Sequence, residues 1–185
     1  MNWKEHIEKI LKSAKNRVAA IDLEKLTVSY TDKIKKHEDP KVIRGDEEIV
    51  RAYLIQRLLN ELDYKPEYIE IEKRYSIGRP KTSKAEIDVI VRDNKEGAFL
   101  FIEVKAPDKF ESDKELIKGQ LFDLAHQEKD VKYLVYYTID FKGDKCIDKA
   151  IIIDFKQFPD YHDWINAGAP SVGKNGKRQD PRRSL

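Results

Sequence analysis

Apolar and polar residues alternate strictly in two stretches on either side of the segment D-N-K-E-G at 93–97. Ile87, Val89 and Val91 repeat every second position before it, and Leu100, Ile102 and Val104 do so after it. A period of two is the signature of a half-buried strand, so the two stretches predict a β-hairpin whose six apolar residues share one face. A slip of one residue would send that whole set to the other side, which fixes the parity of the pairing. A four-residue loop at Asn94–Gly97 pairs Val91 with Leu100, Val89 with Ile102 and Ile87 with Val104, and sets Asp88 opposite Glu103. Like charges so opposed destabilise a strand pair, so two carboxylates held there call for a cation. Lys105 lies two residues beyond Glu103 and therefore on the same face.

Helical spacing dominates the N-terminal part. Trp3, Ile7, Ile10, Leu11, Ala14 and Val18 predict an amphipathic helix from Asn2 to about Arg17 that packs on the domain. Residues 19–44 are mixed, with a second helix expected around Asp22–Leu26 and then a charged, solvated connection. A strong helix follows from Glu47 to about Leu62, carrying Val50, Leu54, Leu58 and Leu62 in one row. Acids in its first turn suit the positive end of the helix dipole, which accounts for Glu47 and Glu48, yet Glu48 leans toward the apolar stripe. A strand begins near Tyr68. The stretch Gly78–Ala85 then brings Arg79, Lys81 and Lys84 without an acid, either a solvated turn or a cationic loop able to hold phosphates.

Beyond Pro107, Ser112-x-x-Glu115 has the form of a capping box and predicts a helix to about Glu128, with Leu116, Gln120 and Leu124 in one row. Gln120 interrupts that apolar row, so its amide is either satisfied by backbone or reaches toward the strand ends. V-K-Y-L-V-Y-Y-T-I supplies the next strand, so strand 98–105, helix 112–128 and strand 131–139 read as a βαβ unit with parallel strands. Tyr133, Tyr136 and Tyr137 read as core and sheet surface rather than as base-stacking platforms. A further strand, A-I-I-I-D-F, and a short last helix precede a tail rich in Gly, Pro, Lys and Arg.

Composition changes this picture in two places. The net charge of +2 hides an uneven distribution, because residues 168–185 carry five basic residues and one acid while the remainder is slightly acidic. The single cysteine, Cys146, excludes an intrachain disulfide and suits a reducing, cytoplasmic setting, and no apolar run approaches membrane-spanning length. Four histidines scattered at 6, 37, 126 and 162 make a zinc site a poor expectation, and neither G-x-x-x-x-G-K-[ST] nor G-x-G-x-x-G is present. The expected organisation is an N-terminal helical extension over 1–44, a catalytic domain over 45–167 and a basic tail or linker over 168–185.

The arrangement D-x14-E-x-K on adjacent strands, preceded by an acidic helix and followed by a helix carrying Gln, resembles the PD-(D/E)XK nuclease superfamily. More narrowly it is similar to the N-terminal endonuclease domain of type I restriction enzyme R subunits and related restriction-modification proteins. The resemblance covers roughly residues 45–155 and implies an α/β, restriction-endonuclease-like core: a central mixed sheet flanked by helices. It implies that Asp88, Glu103 and the Val104 carbonyl ligate Mg²⁺, with Mn²⁺ able to substitute, and that Lys105 is the catalytic lysine. The helical acid corresponds to Glu48, with Glu47 as its rival, and the family's Q-x-x-x-Y element falls on Gln120. Two departures stand out: Leu124 occupies the Tyr place, and Ile87 rather than Pro precedes Asp88. The partners implied are DNA, gripped by Arg79, Lys81 and Lys84, and helicase/translocase, methyltransferase and specificity domains or subunits. A non-catalytic nucleic-acid-binding module of the same fold, and a nuclease of repair or of mobile elements, are the competing expectations.

Overall fold

The computed structural model describes residues 2–37, 41–77, 83–143 and 145–172. Helix α1 (Trp3–Ser13) opens on a capping box in which Asn2 accepts the Lys4 N–H and the Glu5 carboxylate accepts the Asn2 N–H. Its Ile7 and Leu11 are fully buried. The helix expected around Asp22–Leu26 does not form. Strands β1 (Ala19–Asp22) and β2 (Thr27–Tyr30) pair there antiparallel, with Ala19 opposite Tyr30. The physical reason is the alternation of Ala19 and Ile21 with Val28 and Tyr30, all buried, which satisfies a hairpin, whereas an isolated five-residue helix cannot repay its nucleation. Helix α2 (Asp46–Asn60) packs against α1, this hairpin and the main sheet, and is buried almost continuously from Ile49 to Leu58. Its Gln56 accepts the N–H groups of Val18 and Ala19, which ties the N-terminal segment to the helix.

Six strands make the main sheet: β3 (Lys35–Lys36), β4 (Ile69–Ile77), β5 (Ser83–Arg92), β6 (Ala98–Val104), β7 (Tyr133–Lys142) and β8 (Lys145–Asp154), in that spatial order. The pairs β3/β4 and β6/β7 are parallel and the others antiparallel, giving a mixed sheet in an α/β fold. The β5/β6 register has the expected pairs Val89 with Ile102 and Val91 with Leu100. Asp93 shapes the intervening turn by accepting the Lys95 and Gly97 N–H groups, both at 2.9 Å.

Alternation nevertheless slips once. Val89, Val91, Leu100, Ile102 and Val104 belong to the core beneath α1 and α2, but Ile87 packs in the second core with Ile90 and Phe101. The predicted six-residue face is thus a five-residue face, and the break falls at Asp88.

The crossover between β6 and β7 also departs from expectation. In place of one α-helix over 112–128 there is a 3-10 turn (Lys114–Leu116), a wide π turn (Lys118–Phe122) and a short α3 (Asp123–Ala125). Ser112 does not cap it; its hydroxyl bonds the Lys109 carbonyl and Asp113. Because the π turn inserts a residue, Leu116 ends up exposed while Ile117, Leu121 and Leu124 fill the second core. Helix α4 (Tyr161–Asn166) closes that core with Trp164. Beyond it, Ser171 and Val172 bond Ile152 of β8, and residues 173–185 of the basic tail lie outside the described residues. Among the described residues no helix is long and apolar enough to cross a membrane.

Candidate active site

Asp88 stands where the sheet loses its regular pairing. The β4/β5 ladder runs in one register on both sides of it, Ile71 with Val89 and Lys73 with Ile87, but the pair Glu72/Asp88 between them is missing. The β5/β6 ladder likewise ends at Val89/Ile102, one step short of Glu103. The expected pairs Asp88/Glu103 and Ile87/Val104 are therefore not part of the ladder. The Asp88 carboxylate replaces the lost ladder bonds: Oδ2 accepts the Val104 N–H at 2.8 Å, and Oδ1 accepts from Arg51 Nη1 at 2.9 Å.

Glu103 and Lys105 lie side by side at the end of β6, both 4% exposed, with Nζ donating to Oε1 at 2.8 Å. The backbone of Lys105 is held by β7 through the Tyr137 carbonyl and the Thr138 hydroxyl. Burial, and then the charge of Asp88, push the Glu103 carboxyl well above the usual carboxylate range. Burial acts against the Lys105 ammonium, but the charges of Glu103, Glu47 and Asp88 outweigh it and keep it protonated.

The two rival helical acids are used differently. Glu47 reaches Lys105 at 3.7 Å, and its pKa is raised by burial. Glu48 turns back and accepts the Gly45 N–H at 2.9 Å, capping α2, although it lines the same cleft. Gln120 carries a buried Oε1 with no hydrogen-bond partner, so it is not the backbone-satisfied core amide that was one of its two expected roles. Among the described residues, no hydrogen bond joins it to Lys105.

Two residues that the pattern of the sequence passed over complete the cluster. Arg51 is 3% exposed and donates not only to Asp88 but also to Glu72 at 2.6 Å and to the Tyr30 hydroxyl at 3.4 Å. Its signal was present: it precedes Ile55 by four and Leu58 by seven, so it lies within the buried stripe of α2, where a lone cation demands a buried acid. Glu72 has φ +55 inside β4, a left-handed conformation that costs about 1–3 kcal/mol for a residue with a side chain.

A cleft of about 350 Å³ opens beside the Asp88 end of this cluster, with Glu103 and Lys105 behind its lining residues. Glu47, Glu48, Glu72 and Asp88 line it, and Lys41, Arg44 and Arg74 bring positive charge to its wall. Of the expected phosphate-binding loop, Arg79 and Lys81 lie outside the described residues, and Lys84 enters β5 level with Ser76.

The donor set suits a hard divalent cation in kind. Four acids, Glu47, Glu72, Asp88 and Glu103, meet two cations, Arg51 and Lys105, so carboxyl groups outnumber the cations they pair with. Among the described residues, however, no three acids converge on a single point as a finished ligand set. The geometry combines oxygen donors, a buried ammonium and a cleft with mixed charge at one end of a sheet, which is the equipment for activating water against an anionic ester.

No curated protein matches this sequence. The family described as type I restriction enzyme R protein N terminus (HSDR_N) does, over residues 46–138, from the first turn of α2 to the middle of β7. That range covers half of the chain and contains Glu47, Arg51, Glu72, Asp88, Glu103, Lys105 and Gln120. The chain belongs to the type I restriction enzyme R protein N-terminal family.

Proposed function

We propose that this chain is a Mg²⁺-dependent DNA endonuclease domain of a type I-like restriction-modification system, acting in the cytoplasm. The observation that carries the reading is the buried Glu103–Lys105 pair at 2.8 Å beside an Asp88 locked to the Val104 amide. A carboxylate and an ammonium so deeply buried, with a second acid adjoining, are expensive in a merely structural role and suit charge-handling chemistry.

Asp88, Glu103 and the Val104 carbonyl would hold Mg²⁺, or Mn²⁺ in its place, with Glu47 or Glu48 completing the set from α2. The bound cation would supply neutralisation of the phosphate and a more acidic water. Lys105 holds a proton at Nζ and presents that charge to the attacking water or to the oxygen on which negative charge develops. Gln120 orients Lys105 or the phosphate through its amide. Arg79, Lys81 and Lys84 hold the DNA backbone without reading bases, and the cations along the cleft wall extend that grip. Sequence recognition, methylation and ATP-driven translocation belong to specificity, methyltransferase and helicase/translocase partners.

The test incubates the purified chain with supercoiled and linear DNA in Mg²⁺, Mn²⁺ or EDTA, beside Asp88→Ala and Lys105→Ala. Cleavage that needs the metal and disappears in both variants is expected, with a loss of at least about 100-fold. Nicking that persists in EDTA or in both variants would overturn the assignment. Metal-independent DNA binding without cleavage by the wild type would favour a non-catalytic module.

A further inference from the structure

Among the described residues Glu72 is the one non-glycine residue with a left-handed backbone inside a strand; Leu26, Asp63, Glu96, Asp130 and Ala169 adopt positive φ in turns and loops. The distortion has a visible use. It accompanies the missing Glu72/Asp88 ladder pair and puts the Glu72 carboxylate 2.6 Å from Arg51 Nη2, while Nη1 of the same guanidinium bonds Asp88 Oδ1 at 2.9 Å. Val104 N–H takes the other Asp88 oxygen. The carboxylate plane of Asp88 is thereby fixed from both sides, by a helix and by the neighbouring strand.

We propose that Arg51 and Glu72 are positioning residues that aim the Asp88 carboxylate, Arg51 by direct hydrogen bonding and Glu72 by holding the guanidinium and offsetting its charge. Stability alone gives little reason for the arrangement. A buried ion cluster is commonly no more stable than apolar side chains of the same volume, and the backbone of Glu72 adds strain. What the network provides is orientation: the planar fork of Arg51 spans two acids in a fixed geometry that a lysine's point charge does not reproduce. A lone Arg51 would neutralise Asp88 as it aimed it. With Glu72 on its other arm, the guanidinium's charge is shared between two acids. The inference rests on the nuclease reading above.

Three variants of the full chain test it: Glu72→Gln, Arg51→Lys and the double replacement Arg51→Met with Glu72→Met, which removes the Arg51–Glu72 pair as a unit and leaves the Asp88 carboxylate held by the Val104 N–H. Each is compared with wild type by thermal melting, by calorimetric titration with Mn²⁺ alone, and by cleavage rates over a range of DNA concentrations. Positioning predicts folded variants whose Mn²⁺ affinity falls about tenfold and whose kcat falls about 10–100-fold with KM nearly unchanged, Arg51→Lys being the mildest. If the double variant does not fold, Glu72→Gln decides. Folded variants with wild-type Mn²⁺ affinity and kcat would overturn the positioning role alone. A wild type that neither binds Mn²⁺ nor cleaves would overturn the nuclease reading beneath it.

Discussion

At the scale of single residues, the site divides by the kind of signal each residue left in the sequence. Asp88, Glu103 and Lys105 are legible because period-two strands indicate which side chains neighbour one another, and Asp88 bonds the Val104 amide between Glu103 and Lys105, which bond each other. Glu47 and Glu48 are adjacent on the first turn of α2, and a sequence does not decide which will cap Gly45 and which will face Lys105. Arg51 left a weak mark as a cation within an apolar stripe. Glu72 left none, since a left-handed residue within a strand has no pattern of its own. Gln120 offers a prediction at this scale. Its buried Oε1 already lacks a partner, so Gln120→Leu should keep or raise stability, by up to about 1–2 kcal/mol, while lowering DNA cleavage at least about tenfold. Denaturant unfolding beside a nicking assay checks it; a large destabilisation would mark the amide as a structural anchor instead.

At the scale of elements, strands were read more faithfully than the crossover. The hairpin, the parallel β6/β7 pair and the long β7 follow from alternation and β-branched content, whereas the segment 114–125 obeys no single helical period. Its π turn rephases the apolar row so that Ile117 is 1% exposed and its neighbour Leu116 is 42% exposed. Leu116→Ser should therefore change stability by less than about 0.5 kcal/mol, and Ile117→Ala should cost about 2–5 kcal/mol. The opposite ranking in urea melts would mean a regular helix there. The slip at Ile87 falls at the same place as the missing Glu72/Asp88 ladder pair, where Glu72 takes its left-handed backbone.

Across the whole molecule, the N-terminal segment shares one core with α2 and the sheet. Leu11, fully buried, should cost about 2–5 kcal/mol on replacement by Ala, and the wild type should unfold in one transition that includes α1. Separate melting of the N-terminal segment would show that the shared core does not couple them. A second charge network ties distant elements: Arg92 bridges Glu70 of β4 and Glu128 after α3, while Lys35 and His37 add to Glu70 and Lys73 and Tyr75 add to Glu128. Burial raises the Glu70 pKa, but the bonds from Arg92, His37 and Lys35 overcome it and hold the carboxyl at about 2. Because that pKa lies below the ordinary glutamate value of about 4.3, the folded state binds fewer protons than the unfolded chain between the two. The stabilisation is present above that ordinary value and is lost as pH falls toward about 2. Thermal melts at pH 5 and pH 3 should show a smaller drop for Glu70→Gln than for wild type, and an equal drop would remove Glu70 from the acid response.

The sequence by itself determined the strands of the main sheet, the Val89–Ile102 and Val91–Leu100 pairing, the α/β class and the nearness of Asp88, Glu103 and Lys105, because those depend on local periodicity and on nearest strand neighbours. Only the tertiary structure decided that residues 19–30 form a hairpin, that Glu47 rather than Glu48 meets Lys105, and that Arg51 and Glu72 bracket Asp88. Those outcomes depend on contacts between elements far apart in the chain, and buried charges choose their partners only once the fold has brought them together.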